Sequence, residues 1–191
     1  MNQLALISLI VLSSTLSVYA YPQLGSSLSP GRCPQTTEIE GGFNLTQYLG
    51  KWYEIKRTGL VFEFGQRCVK AEYKLDSDGN VAVNNSGVNL VNFEVYSVGT
   101  AKPGTQSNVF AVTFFPLSPS SQYWIVDTDY ETYSLVVSCN DVLGLFNLKD
   151  AWILSRKPKL DEEIVKRLVD KLGKLGVPSS LLSTTTQNCD K

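Results

Sequence analysis

The chain has 191 residues, 43% of them apolar, and a net charge near zero, with 17 Lys and Arg against 18 Asp and Glu and no block of like charges. That suits one domain with a single core and argues against a nucleic-acid or polybasic membrane partner. It contains no histidine, and its one methionine is the initiator. Histidine bases, histidine-centred triads and His-ligated metal or haem are therefore excluded.

At the start, residues 4–12 form a short apolar run, broken by Ser13, Ser14, Thr15 and Ser17 and followed by Val18-Tyr19-Ala20. This reads as a secretory signal peptide over residues 1–20, cut after Ala20. A membrane anchor would need about 20 apolar residues. Residues 21–191 are then a single extracellular domain, and the polar run 183–191 lacks the hydrophobic tail of a lipid-anchor signal. Cys33, Cys68, Cys139 and Cys189 are widely spaced and include no Cys-x-x-Cys pair. In a secreted chain they imply two disulfides, whose connectivity the spacing leaves open, and no zinc site. Asn44-Leu45-Thr46 and Asn84-Asn85-Ser86 match the glycosylation acceptor pattern, which expects Asn44 and Asn84 at the surface.

The stretch from Asn44 to Arg57 reads as a short turn feeding a β-strand. From Trp52 onward the side chains alternate, with Trp52, Glu54 and Lys56 on one side and Tyr53, Ile55 and Arg57 on the other. Gly50 precedes the indole by two residues, where a glycine admits a close neighbour. Further strands are expected at 68–75, 81–85, 92–98, 108–115, 123–128, 133–138 and 151–155. Turn-forming stretches such as Asp76-Ser77-Asp78-Gly79-Asn80 and Lys102-Pro103-Gly104 separate several of them. Eight strands without intervening helices indicate an antiparallel sandwich or barrel.

A different pattern follows the strands. Over residues 160–175, Ile164, Leu168, Leu172 and Leu175 share a helical face. Acids at Asp161, Glu162 and Glu163 open the segment, Lys171 and Lys174 close it, and Gly173 and Gly176 stand ready to end it. One helix after eight strands fits an all-β closed barrel with the helix packed outside.

Three segments now belong together: Gly50-Lys51-Trp52-Tyr53, Thr128-Asp129-Tyr130, and Arg156 at the end of Ala151-Trp152-Ile153-Leu154-Ser155. In this order, on eight strands and a helix, the chain resembles the lipocalin family over nearly all of residues 21–191. Within that family it is most similar to the apolipoprotein D branch and its invertebrate and bilin-binding cousins. The resemblance implies an eight-stranded up-and-down barrel whose closed end gathers Gly50, Trp52, Thr128, Asp129, Tyr130 and Arg156 as structural residues. There the Arg156 guanidinium would stack on Trp52, a contact worth about 1 to 2 kcal/mol when desolvated. It also implies the pairings Cys33 with Cys139 and Cys68 with Cys189.

The same resemblance places loops 57–67, 86–91, 116–122 and 140–149 at the open end. Two are apolar, Leu60-Val61-Phe62-Glu63-Phe64 and Val142-Leu143-Gly144-Leu145-Phe146. They are expected to form a greasy rim able to touch a lipid particle or membrane surface, the first folding over the mouth as a lid, or else to pack on each other. Trp152 and Leu154 share a strand face with Arg156 and are read as inward ligand contacts. Trp124, Tyr73, Phe93, Tyr96 and Phe114 are further candidates for which either parity is open.

The implied function is a secreted carrier of a small hydrophobic ligand such as a fatty acid, steroid or retinoid, with no catalytic residues, metal or cofactor. Burying ~300 Å² of ligand at about 25 cal/mol per Å² bounds the gain near ~7 kcal/mol before association costs. The alternatives are a protein that sequesters bilin, amine or eicosanoid, and a lipocalin isomerase using a free cysteine thiolate. Amine capture would require carboxylates inside the barrel, for which Glu54 and Glu94 are the only hints.

Overall fold

The computed structural model describes residues 27–59, 65–114 and 120–189. The expected signal peptide, the apolar stretch 60–64 with its lid, and residues 115–119 lie outside them. Eight antiparallel strands follow one another as nearest neighbours: β2 (Gly50–Thr58), β3 (Arg67–Leu75), β4 (Val81–Val88), β5 (Glu94–Pro103), β6 (Val109–Thr113), β7 (Ser121–Thr128), β8 (Tyr133–Val142) and β9 (Phe146–Ser155). β9 pairs back onto β2, with Tyr53 opposite Ser155 and Arg57 opposite Trp152, so the sheet closes on itself as an up-and-down barrel. Short strands β1 (Ser27–Pro30) and β10 (Leu182–Thr184) add to β9 and β2, and a one-turn helix α1 (Leu45–Tyr48) leads into β2.

The helix after the barrel, α2 (Glu162–Lys174), begins where the Asp161 side chain caps the Glu163 N–H and carries acids in its first turn and lysines in its last. Its buried residues are Val165, Leu168 and Leu172, a face rotated slightly from the one expected, with Ile164 and Leu175 only partly buried. They pack with Val177 on the outward side chains Ile55, Val126, Leu135, Val137 and Ile153. This explains why β8 is buried over most of its length: Tyr133, Leu135 and Val137 lie under the helix while Ser134, Val136 and Ser138 face the barrel interior. Lys149 is buried at the far end of α2. Its ammonium lies 3.1 Å from where a Cβ on Gly176 would stand, so a cation meets the negative pole of the helix.

The closed end is held by one side chain. The Arg156 guanidinium lies 3.7 Å from the centre of the Trp52 ring. It donates from Nε to the Tyr130 carbonyl (2.9 Å), from Nη1 to Lys51 (2.9 Å), and from Nη2 to Gln47 (2.8 Å) and Tyr48 (3.2 Å). Trp52 Nε1 donates to the same Tyr48 carbonyl. Gly50 has φ +94°, and a Cβ there would make only ordinary contact with Arg156. Its left-handed backbone, not a shortage of space, therefore accounts for the glycine. The adjoining turn is fixed by Asp129 Oδ1, which accepts from the backbone of Glu131, Thr132 and Tyr133, and by Thr128 Oγ1, which donates to Tyr133 and accepts from Tyr130. Burial alone would raise the Asp129 carboxyl, but these donors hold it below the usual carboxylate range.

The opposite end departs furthest from the sequence reading at the last of its expected loops. Residues 140–149, expected as a loop, are mostly strand: Val142 pairs with Phe146, and the turn between them places Leu143 (φ 52°) and Gly144 (φ 69°) in left-handed backbone. Two consecutive positive φ values are the geometry of a type I′ hairpin turn.

One wall of the barrel is completed from outside the hairpin series. β2 pairs with β3 only from Gly50 to Tyr53. Beyond that the segment after α2 bonds to both strands. β10 pairs with residues 56–58, the Thr185 N–H donates to Ile55 and the Thr186 carbonyl accepts from Cys68. The Gln187 amide donates to Glu54 and Val69, and Cys189 is bonded to Cys68. The other disulfide, Cys33–Cys139, ties the chain after β1 to β8.

Replacing Arg156 with Met removes four charged hydrogen bonds and the ring contact together, and should lower unfolding free energy by about 3 kcal/mol in urea titrations. Arg156→Lys should recover only a minority of this, since an ammonium cannot reach the same carbonyls in one plane. Replacing Cys68 and Cys189 by Ser should cost about 2 to 4 kcal/mol. Amide exchange should quicken at residues 182–187 and at 67–70 before it does in β7 or β8.

Candidate ligand-binding cavity

Alternation along the strands turns one set of side chains into the barrel, and above the closed end these leave a cavity of about 690 Å³. Val81 and Val83 of β4, Ala101 of β5, Phe110 and Val112 of β6, and Leu154 of β9 form apolar wall. Tyr48 and Tyr73 lie low in the barrel with their rings 5.7 Å apart, and Tyr48 packs on the sealing indole of Trp52 at 5.1 Å. Phe43, from the segment before α1, closes the base against Tyr48 and Phe110.

Trp152, Leu154, Tyr73 and Phe114 line this space. Trp152 faces Tyr123 at 6.2 Å. Tyr96 stands at the mouth, 63% exposed, and borders the cavity from its edge. Two candidates are elsewhere. Trp124 points outward, buried in the cluster beneath α2, with its Nε1 donating to the Thr37 carbonyl. Strand parity sends its neighbours Tyr123 and Ile125 inward instead. Phe93 sits in the β4–β5 turn, 70% exposed and away from the cavity, because the strand begins only at Glu94. Asn44 and Asn84 are both exposed. The Asn44 cap uses Oδ1, accepting from Gln47 N–H, whereas a glycan would occupy Nδ2.

Two sets of hydrogen-bonded polar groups are buried in the interior. Deep in the barrel, Tyr48 and Ser134 share a hydrogen bond of 2.9 Å, and Tyr73 and Tyr123 one of 2.8 Å. Burial pushes Tyr48 up to about 12 despite the Ser134 bond, and burial likewise raises Tyr73 and Tyr123. All three phenols are therefore protonated at neutral pH.

Higher on the wall, the Glu54 carboxylate is buried and accepts from Arg57 Nη1 and Thr185 Oγ1. Burial raises its pKa while Arg57 and Thr185 draw it back. The β2–β9 register shifts between Glu54 and Lys56. Strict alternation would have paired Glu54 with Lys56, and the bulge sets Arg57 beside it instead. Asp150 also borders the cavity and accepts from Thr58 Oγ1 at 3.2 Å, while Glu94 is exposed.

The sequence reading missed Tyr48, Tyr123, Phe110 and Ile125 as lining residues. The signal was present for Tyr123: once Trp124 is assigned outward, parity places Tyr123 inside. No such rule reaches Tyr48, which comes from α1 and not from a strand. Around the mouth, Leu90, Val91 and Phe93 of the β4–β5 turn and Leu143 and Leu145 of the β8–β9 turn are exposed. Leu90 closes over Gly65 so tightly that a Cβ there would stand 2.5 Å from it. All four cysteines are in disulfides, and no cluster of metal-ligating side chains occurs among the described residues.

Residues 43–187 match the family described as a lipocalin-like domain. Apolipoprotein D of Mus musculus is 36% identical over 190 residues, which span 96% of this chain and 98% of that protein. Among solved structures, apocrustacyanin C2 superposes with a TM-score of 0.74 at 21% identity over 85% of this chain and 92% of its own. Insecticyanin from Manduca sexta gives 0.71 at 26% identity over 84% and 89%. With the barrel closed by eight strands, the helix outside it and these likenesses spanning nearly the whole sequence, the chain belongs to the lipocalin family.

Proposed function

We propose that the protein is a secreted carrier that holds one small, largely hydrophobic molecule in its barrel and releases it unchanged. The observation that carries this reading is the cavity of about 690 Å³, walled by aliphatic and aromatic side chains inside a barrel sealed at one end. That volume lies in the range of ligand pockets and exceeds what a packed core leaves empty. Fatty acids, steroids and retinoids are of the right size and polarity. Two disulfides and the apolar leader support an extracellular site of action. With every cysteine bonded to another there is no thiolate to act as a nucleophile, which favours transport over isomerase chemistry.

The exposed leucines, valine and phenylalanine of the two mouth turns form the surface through which the carrier would touch a lipid particle or bilayer, delivering its cargo at the open end. Replacing Leu90, Phe93 and Leu143 together by Ser should abolish co-flotation with phosphatidylcholine vesicles without changing the affinity for a soluble ligand.

Native mass spectrometry of the protein from its source, followed by organic extraction, should release one lipid-sized molecule per chain. A visible absorption band in that preparation would identify a bilin instead. Titration with a fatty acid, a steroid and a retinoid should quench tryptophan emission with micromolar or tighter affinity. Because Trp52 and Trp124 are shielded from the cavity, Trp152→Phe should remove most of the quenching and weaken binding severalfold. A protein that takes up none of the three would not be a carrier of this kind.

A further inference from the structure

In the acceptor pattern at Asn84, asparagine and serine are two residues apart, which is the repeat of a strand, so both ends of the pattern share one face. Val83 of β4 and Ala101 of β5 turn into the barrel, which puts Asn84, Ser86, Tyr96 and Val98 on its outer surface. In the register of the two strands Asn84 stands directly opposite Val98, and Ser86 opposite Tyr96. Val98 is 65% exposed and Tyr96 63%. β6 pairs with β5 only from Thr100 to Pro103, so no strand among the described residues flanks this part of β5 on its far side. The other flank of Asn84 is polar: Glu72 of β3 stands opposite it and holds Lys74 at 3.1 Å. An exposed acceptor amide is thus set between a carboxylate and an apolar patch of two adjoining side chains.

We propose that Asn84 carries an N-linked glycan whose first sugars lie on Val98 and Tyr96, so that the modification covers an apolar part of the barrel wall. The inference rests on the secreted reading, since the donor is a lipid diphosphate-linked oligosaccharide of the secretory lumen. Asn84 Nδ2 bonds to the anomeric carbon of the reducing N-acetylglucosamine, the carbon–oxygen bond to the diphosphate breaks, the diphosphate leaves with the electron pair, and one amide proton is lost. Side chains directly opposite on paired strands stand about 5 Å apart at Cβ, so a sugar on the amide reaches over Val98. Tyr96 lies about 7 Å farther along the strand, under the sugar that follows. A pyranose is amphipathic. The C–H groups of its face suit the Val98 methyls and the negative face of the Tyr96 ring, while its hydroxyls stay in water or turn toward Glu72. The Tyr96 hydroxyl already donates to Glu94, which leaves the ring as the part of that side chain in need of cover. Apolar surface removed from water in this way adds to stability.

Protein secreted from cultured cells under its own leader tests this. Peptide N-glycosidase F in heavy-oxygen water should convert Asn84 to a labelled aspartate. Trimming the glycan on the folded protein to a single N-acetylglucosamine should keep nuclear Overhauser contacts between that sugar and the Val98 methyls. Asn84→Gln should lower Tm by about 3 °C, and in a Tyr96→Ser/Val98→Ser background the same replacement should lower it by about 1 °C at most, because the sugars have lost their patch. Asn44 is intact in every variant, so a glycan there does not enter the difference. If Asn84 of the secreted protein is bare, if its first sugar makes no contact with Val98, or if Tm falls equally in both backgrounds, the proposal is wrong and the carrier reading stands. If the chain is not secreted, the glycan and the extracellular site of action fail together.

Discussion

A barrel that is to hold a guest must be sealed somewhere without being filled, and here one guanidinium ties the closed end together beside the packed rings of its base. Arg156 reaches carbonyls at residues 47, 48, 51 and 130 while covering the face of Trp52. These acceptors belong to the approach to β2, to β2 itself and to the β7–β8 turn, so one rigid, always-charged fork joins three parts of the chain. The indole is fully buried beneath it, and the ring of Tyr48 rests on the indole. Above that packed base of rings the barrel remains hollow. The cavity and its closure are in this sense one feature.

The interior is apolar but not indifferent. Its most deeply buried polar groups include two sets of side chains that bond to one another instead of standing as orphans. The upper set pairs charges, Glu54 with Arg57, and uses the segment after α2 to complete the arrangement through Thr185. The lower set is neutral, made of hydroxyl pairs. From the mouth inward, the Glu54–Arg57 ion pair comes before the hydrogen-bonded phenols of Tyr73 and Tyr123.

Much of this was legible in the sequence for a physical reason: strand alternation, turn residues and helix-end charges act locally and leave local traces. The helix over residues 162–174 differs from the expected 160–175 only at its ends, and the motif residues Gly50, Trp52, Thr128, Asp129 and Arg156 meet at one end of the barrel. The failures share a cause as well. Leu143 adopts left-handed backbone that leucine avoids, so its turn reads as a loop and hides the strands on either side. The bulge in β2 shifts parity without any proline or glycine to announce it. Trp124 is apolar enough for either side of the wall, and only the packed helix decides that it faces outward. Tyr48 enters the cavity from a one-turn helix, where no alternation applies.

The segment that fills the wall between β2 and β3 follows every barrel strand in the chain, and Cys189 is separated from Cys68 by 121 positions. The hairpins of the barrel can assemble as they emerge, but the seam beside β2 has to wait for material made after every strand it touches. Completion of the cup is thus a late event in biogenesis. It couples formation of the Cys68–Cys189 disulfide to the moment at which the wall is completed, and a nascent chain halted before that point would leave the seam open, however well its other strands had formed.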